Sequence, residues 1–179
     1  MARTGKTTTR YADAASIVEA LRSHLHWQQD RWLFIPNLRM GTGFGGLYNH
    51  TVEQSLDAWA MALWPSLRFA KIAYEVKVSR HDFFRELEHP AKRLAALSVS
   101  NRFYFAVPSG LVSLAEVPKE TGLIYLSDLS VRECNVIKEA PWRDGPAPSW
   151  TFIASVARRL QKVQDPGVLA MDVADGLRG

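Results

Sequence analysis

The sequence predicts an α/β fold in which a central mixed β-sheet is flanked by helices. Two observations indicate this class. Short apolar runs typical of strands lie between segments with the periodicity of amphipathic helices. The chain of 179 residues is 47% hydrophobic and contains eight Phe and six Trp, which suffices for the core of one domain. This composition excludes an intrinsically disordered protein.

We divide the chain into a basic arm (1–11), a single domain (12–165) and a C-terminal tail (166–179). Much of the net charge of +4 lies in the arm, which could contact phosphates or simply be a solvated terminus. The lone Cys134 excludes an intramolecular disulfide and a cysteine zinc site. No apolar run could span a bilayer and no hydrophobic signal core begins the chain. We therefore expect a cytoplasmic, intracellular protein without membrane partners.

The first half of the domain contains one predicted helix and the first strands. Apolar residues recur on one face of 13–27, which predicts an amphipathic helix. Residues 32–35 form a buried strand that Pro36 is expected to end. The glycine-rich stretch 41–46 is a loop, and it lacks the Lys-Ser/Thr ending of a phosphate-binding loop. Apolar residues on both faces of 56–63 predict a strand covered on both sides.

The next elements alternate between strand and helix. A strand at 72–78 follows the turn around Pro65, and Ser79 forms a capping pair with Asp82 that begins a helix. Pro90 begins a second helix, which is followed by interior strands at 103–107 and 122–126.

The last predicted helix begins after Ser149, a good N-cap residue. We expect its apolar face to carry Trp150, Ile153, Ala157 and Leu160. The opposite face is expected to carry Arg158, Arg159 and Lys162.

Three polar residues interrupt the apolar strands on either side of the turn. If 56–63 and 72–78 form a hairpin centred on Ser66, Asp57 and Glu75 lie nearly opposite each other. Lys77, two residues after Glu75, then projects from the same face. A slip of one residue in the register would separate these side chains.

Such a patch suits a hard divalent cation. Mg²⁺ takes oxygen ligands and uses one or two carboxylates together with substrate phosphate. Lys77 could orient or deprotonate a bound water, or stabilise the charge that develops at phosphorus. The alternative is an ordinary cross-strand salt bridge between Lys77 and one of the acids. The five histidines have no spacing that indicates a zinc site.

The segments LDAWAMALWPS, YEVKVSRHDFFRELEHPAKR, NRFYFAVPSGLV and GLIYL are similar to sequences of the PD-(D/E)XK nuclease superfamily. The resemblance covers residues 12–140 and is closest to MmcB-type DNA-repair-associated proteins and related phage or prophage proteins. It implies a restriction-endonuclease-like core and Mg²⁺-dependent or Mn²⁺-dependent cleavage of nucleic acid.

The resemblance also implies roles for individual residues. It assigns Asp57 and Glu75 as metal-binding acids, together with the backbone carbonyl of Val76, and Lys77 as the catalytic lysine. Glu19 is a candidate third acid, or else part of a solvated helix face.

The sequence departs from the family pattern at two places. Asn37 stands where related sequences often carry an acid, and the segment 54–56 is less basic than theirs. Four residues that follow Lys77 in the sequence are candidates for contacts with a nucleic-acid backbone: Ser79, Arg80, Lys92 and Arg93.

The sequence thus favours a metal-dependent DNA endonuclease or exonuclease that acts in DNA repair, DNA processing or phage DNA metabolism. Single-stranded and double-stranded DNA are both compatible partners, and a homodimer is compatible with the chain. One alternative is a non-cleaving nucleic-acid-binding or adaptor protein on the same fold. Another is an accessory factor that binds only proteins.

Overall fold

The computed structural model of the protein describes residues 13–40, 55–127 and 133–164. The predicted basic arm, the glycine-rich stretch 41–46 and the C-terminal tail lie outside the described residues. Within the described ranges, no helix has the length and apolar character needed to cross a membrane.

Six strands and four α-helices make up the described domain. The strands are β1 (Trp32–Arg39), β2 (Ser55–Ala62), β3 (Lys71–Val76), β4 (Arg102–Pro108), β5 (Gly122–Leu126) and β6 (Cys134–Lys138). The helices are α1 (Ala14–Ala20), α2 (Arg80–Leu87), α3 (Pro90–Ser98) and α4 (Trp150–Gln164). A π-helical turn, Leu21–Leu25, extends α1, and 3₁₀ turns lie at Pro65–Leu67 and Leu114–Glu116.

The strands form one mixed sheet in the order β1-β2-β3-β4-β5-β6. The pairs β1–β2, β2–β3 and β5–β6 are antiparallel, whereas β3–β4 and β4–β5 are parallel. α2 and α3 connect β3 to β4, as a parallel pair requires a crossover. The α/β class and the mixed sheet flanked by helices are thereby confirmed.

The sheet separates two apolar cores. α1 and the π-helical turn cover one face with Ile17 and Leu21, which pack with Tyr74 and Ile124 of the sheet. On the other face, the core includes residues from each of α2, α3 and α4: Phe83, Leu97 and Phe152. α2 and α3 pack against β4, whose aromatic side includes Phe103 and Phe105, and α4 packs against β1 and against Trp59 of β2. β3 therefore lies in the middle of the sheet with a core on each side.

Two strand predictions needed correction. β1 continues through Pro36 to Arg39, because it is an edge strand, where a residue without a backbone N–H is tolerated. Asn37 in this strand has a positive φ of 50°. The other edge strand, β6, was not predicted. Its Val136 and Ile137 are both more than two-fifths exposed, so the strand lacks the alternation of buried and exposed residues on which a strand prediction depends.

The predicted inner face of α4 was only partly right: of its residues, Leu160 packs against the core, but the residues of the first turn do not. Trp150 is 84% exposed and Ile153 is 40% exposed, whereas Phe152 is buried against Trp59 of β2. Ser149 does cap the helix, because its hydroxyl accepts a hydrogen bond from the backbone of Phe152. The docking of α4 onto the sheet edge therefore selects a face other than the most apolar one.

Candidate functional site

The hairpin of β2 and β3 has the predicted register. Ala58 pairs with Tyr74, which is the register in which Asp57 stands opposite Glu75. The backbone ladder ends at this pair, and the carboxylate Oδ2 of Asp57 accepts a hydrogen bond of 2.7 Å from the backbone N–H of Val76. A side-chain bond thus continues the pairing where the two strands stop sharing backbone bonds.

The acid of β3 is deeply buried beside the lysine that follows it. Glu75 is 3% exposed, and its Oε1 lies 2.6 Å from the Nζ of Lys77. The same Nζ lies 3.1 Å from Oε2 of Glu86 on α2. We call Glu75, Lys77 and Glu86 the ion cluster. It lies on the face of the sheet that α2 covers.

The local sequence explains how α2 brings an acid to this place. Ser79 caps the helix by accepting a hydrogen bond from the backbone N–H of Asp82, as predicted. Phe83 then docks against Phe105 of β4 with ring centroids 5.0 Å apart. Glu86 follows three residues later, so it lies on the same inward face of the helix.

Glu86 was not predicted as a site residue. A glutamate in a helix is usually solvated, so the residue type itself does not predict burial. The spacing of three residues from Phe83 was the signal that could have identified it.

A pocket of about 310 Å³ lies beside Asp57, on the side of the sheet that α1 covers. Asp57, Glu19, Arg22 and Asn37 provide its polar lining, and Phe34 contributes to its apolar lining. The structure therefore brings the candidate acids Glu19 and Asp57 to one pocket.

Glu19 is engaged within its own helix. Its carboxylate accepts hydrogen bonds of 2.9 and 2.5 Å from the guanidinium of Arg22. These bonds lower the pKa of Glu19 below its ordinary value. Glu19 is consequently ionised at neutral pH at the mouth of the pocket.

Three of the candidate phosphate contacts, Ser79, Arg80 and Arg93, have partners within the protein. Arg80 forms an ion pair of 2.6 Å with Glu116, and its guanidinium lies 5.0 Å from the centre of the Phe84 ring. Arg93 lies 3.1 Å from Glu120 and is largely buried. Ser79 serves as the helix cap, and Lys92 belongs to α3.

The site therefore has two parts joined by the backbone of β3. The structure brings Glu75 and Lys77 into direct contact, and it ties Asp57 to the backbone one residue beyond Glu75. The N–H and C=O of one strand residue point to the same side, so the Val76 carbonyl is expected to face the Asp57 side as well.

The carboxylates of Asp57 and Glu75 and the backbone carbonyl of Val76 are hard oxygen donors of the kind that Mg²⁺ prefers. In the described ranges, no group of three or more His, Cys, Asp or Glu side chains is placed to hold a metal ion. Mg²⁺ needs only one or two protein carboxylates when substrate phosphate and water complete its shell. The donor set of Asp57, Glu75 and the Val76 carbonyl thus fits that ion in chemical type.

Comparisons with known proteins bear on the fold alone. No protein-family model matches the chain, and no curated protein matches it. A solved structure of a protein of unknown function from Silicibacter pomeroyi is similar, with a TM-score of 0.54 and 20% identity. The match covers 86% of this chain and 89% of that one.

Proposed function

We propose that the protein is a divalent-metal-dependent nuclease that hydrolyses phosphodiester bonds in DNA. The observation that carries the proposal is the contact between Asp57 and the backbone at Val76, directly beside the buried pair of Glu75 and Lys77. The resemblance of the sequence to PD-(D/E)XK nucleases supports a role in DNA repair, DNA processing or phage DNA metabolism.

Each residue would have a separate task in such a reaction. Asp57, Glu75 and the Val76 carbonyl would hold the cation, which when bound lowers the pKa of water and neutralises a phosphate oxygen. The Lys77 ammonium would orient the attacking water or stabilise the charge that develops at phosphorus. Glu19, at the pocket beside Asp57, would bind a second ion or orient the first through water.

The charged side chains around Lys77 also support a cation site. Glu75 and Glu86 bring two carboxyl groups to the Lys77 amine, and Asp57 lies at the neighbouring backbone of β3. Buried charge is costly, and apolar side chains at positions 75 and 86 would serve packing better. A cation that binds at Asp57 and Glu75 would offset part of that cost.

A cleavage assay tests the proposal. The protein is incubated with single-stranded DNA, double-stranded DNA and RNA, with Mg²⁺ or with a chelator. We expect Mg²⁺-dependent cleavage of DNA that is lost in Asp57→Asn and Glu75→Gln. Glu139→Gln is the matched control, because Glu139 is paired with Arg102 and belongs neither to the ion cluster nor to the pocket beside Asp57. Cleavage that survives both site substitutions would overturn the proposal.

A second candidate is a nucleic-acid-binding or adaptor protein that does not cleave. The direct pairing of Glu75 with Lys77 at 2.6 Å favours it, because a structural salt bridge has the same geometry. Binding to DNA that is insensitive to chelator, without cleavage, would select this candidate. A protein without any salt-dependent affinity for DNA would instead be a factor that binds only proteins.

A further inference from the structure

Helix α2 buries two of its side chains, and one of them is an acid. Phe83 is fully buried, and Glu86 is 9% exposed one turn further along the helix. An apolar residue at position 86 would satisfy the packing of this face. The acid at this position therefore calls for an explanation that packing does not supply.

The contact that Glu86 makes is specific. Its Oε2 lies 3.1 Å from Nζ of Lys77, whose side chain is 14% exposed. Glu75 contacts the same nitrogen from β3. Lys77 is thus held by two acids from two different elements, and one of these acids is a candidate metal ligand.

We propose that Glu86 is the positioning residue that keeps the Lys77 ammonium in the site when Glu75 turns its carboxylate to a divalent cation. This inference rests on the proposed function. A cation at Glu75 withdraws that carboxylate from Lys77 and repels the ammonium. Glu86 belongs to a different helix, so it continues to hold Lys77 by an ion pair with good geometry.

Because Lys77 is held by both acids before the cation binds, the inference predicts a conditional effect. Without Mg²⁺, Glu75 alone suffices to hold Lys77, so Glu86→Gln changes little. With Mg²⁺, Lys77 in Glu86→Gln has lost both carboxylate contacts of the ion cluster, and we expect its ammonium to move. A purely structural role for Glu86 predicts the same effect with and without Mg²⁺.

The first readout is the ¹H–¹⁵N signal of the Lys77 ammonium group, assigned with Lys77→Arg. We expect a protected signal in the wild type both before and after Mg²⁺ is added. In Glu86→Gln the signal is expected without Mg²⁺ and lost with it. A signal that persists in Glu86→Gln at saturating Mg²⁺ would overturn the inference.

The second readout is steady-state cleavage of DNA. We expect Glu86→Gln to lower kcat by about 10- to 100-fold, as is usual for residues that orient groups at a metal site. The KM for DNA should stay within about twofold, because Glu86 does not touch substrate. Glu139→Gln serves as the control, and kcat of the wild-type value in Glu86→Gln would contradict the inference.

Failure of this inference can be told apart from failure of the proposed function. If the wild type neither cleaves DNA nor takes up Mg²⁺ in calorimetry, both fail. If the wild type does both and Glu86→Gln behaves like it in both readouts, the role of Glu86 alone fails. Should Glu86→Gln not fold, Glu86→Met fills the same space without charge and is measured in its place, with the same expected results.

Discussion

Consecutive residues of β3 place two different kinds of buried polar group on the two faces of the sheet. On the α2 side, Glu75 belongs to the ion cluster with Lys77 and Glu86. On the α1 side, the Tyr74 hydroxyl lies 2.6 Å from Nε2 of His26. We call His26, Tyr74, Tyr104 and Glu139 the aromatic network, because the two tyrosine rings stack and Tyr104 donates to Glu139.

The buried side chains of the aromatic network and of the ion cluster differ in charge. Burial raises the pKa of Tyr74 well above its ordinary value and lowers that of His26 to about 4, so both are neutral near pH 7. Neutral polar groups that are hydrogen-bonded among aromatic rings stabilise a core at little cost. The ion cluster instead buries charged side chains, which packing does not require. Under the proposed function, the aromatic network serves the fold, whereas the ion cluster serves the reaction.

The largest expected effect comes from Lys77→Met. This substitution leaves Glu75 and Glu86 facing each other without the ammonium, which should reduce the free energy of unfolding by about 3–5 kcal/mol. Cleavage of DNA should fall by about 10²- to 10³-fold, as expected for loss of a group that stabilises developing charge. Urea unfolding and the cleavage assay measure the two effects. If the folded variant cleaves DNA at the wild-type rate, the ion cluster takes no part in the reaction.

Replacing the whole ion cluster with apolar residues distinguishes stability from function. The variant Glu75→Leu, Lys77→Met, Glu86→Leu should be as stable as the wild type or up to about 4 kcal/mol more stable, because no charge is buried. It should not cleave DNA at all. Urea unfolding gives the stability, and a variant much less stable than the wild type would show that the ion cluster serves the fold.

The aromatic network predicts a dependence of stability on pH. The folded-state pKa of His26 is about 4 and its ordinary value is 6.5, so the unfolded chain takes up the proton first as the pH falls. His26 thus stabilises the fold above pH 6.5, and about 3 kcal/mol is lost as the pH falls to 4.

Substitution of the histidine tests this assignment. In His26→Gln the amide can still bond Tyr74 but does not titrate, so the slope between pH 6.5 and 4 should become shallower. His24→Gln, on the exposed side of the same helical turn, is the control. Unfolding by urea at several pH values measures the slope, and an equal slope in wild type and His26→Gln would refute the role of His26.

A smaller effect is expected at Gly122, which pairs with Tyr104 across β4 and β5. A Cβ at this position would lie 2.4 Å from the Tyr104 ring and 2.8 Å from the backbone N of Ala140. Gly122→Ala should therefore destabilise the protein by about 1–3 kcal/mol through overpacking. Cleavage measured well below the melting temperature should be unchanged. A strong loss of cleavage would show that packing at Gly122 affects the candidate site.

Much of the fold followed from local patterns. The register of β2 and β3 agrees with a hairpin centred on Ser66, which the turn residues suggested but the apolar pattern on both faces could not distinguish from a slip of one residue. The start of α2 was predicted because Ser79 and Asp82 form a cap within four residues. Lys77 was correctly expected on the face of Glu75, since residues two apart share a face of a strand.

The features that sequence reasoning missed depend on how elements dock. Glu86 is buried only because Phe83 anchors α2 against the sheet. The inner face of α4 is set by contact with Trp59, which puts Phe152 inside and leaves Trp150 exposed. The cation site itself, and with it the nuclease activity, stays a prediction.

Calorimetric titration of Mg²⁺ tests the central claim most directly, because it needs no knowledge of the substrate. We expect saturable binding to the wild type, and an affinity at least about 10-fold weaker in both Asp57→Asn and Glu75→Gln. Glu139→Gln should bind like the wild type. No heat of binding in the wild type, or isotherms that coincide for all four proteins, would contradict the claim that Asp57 and Glu75 form a metal site.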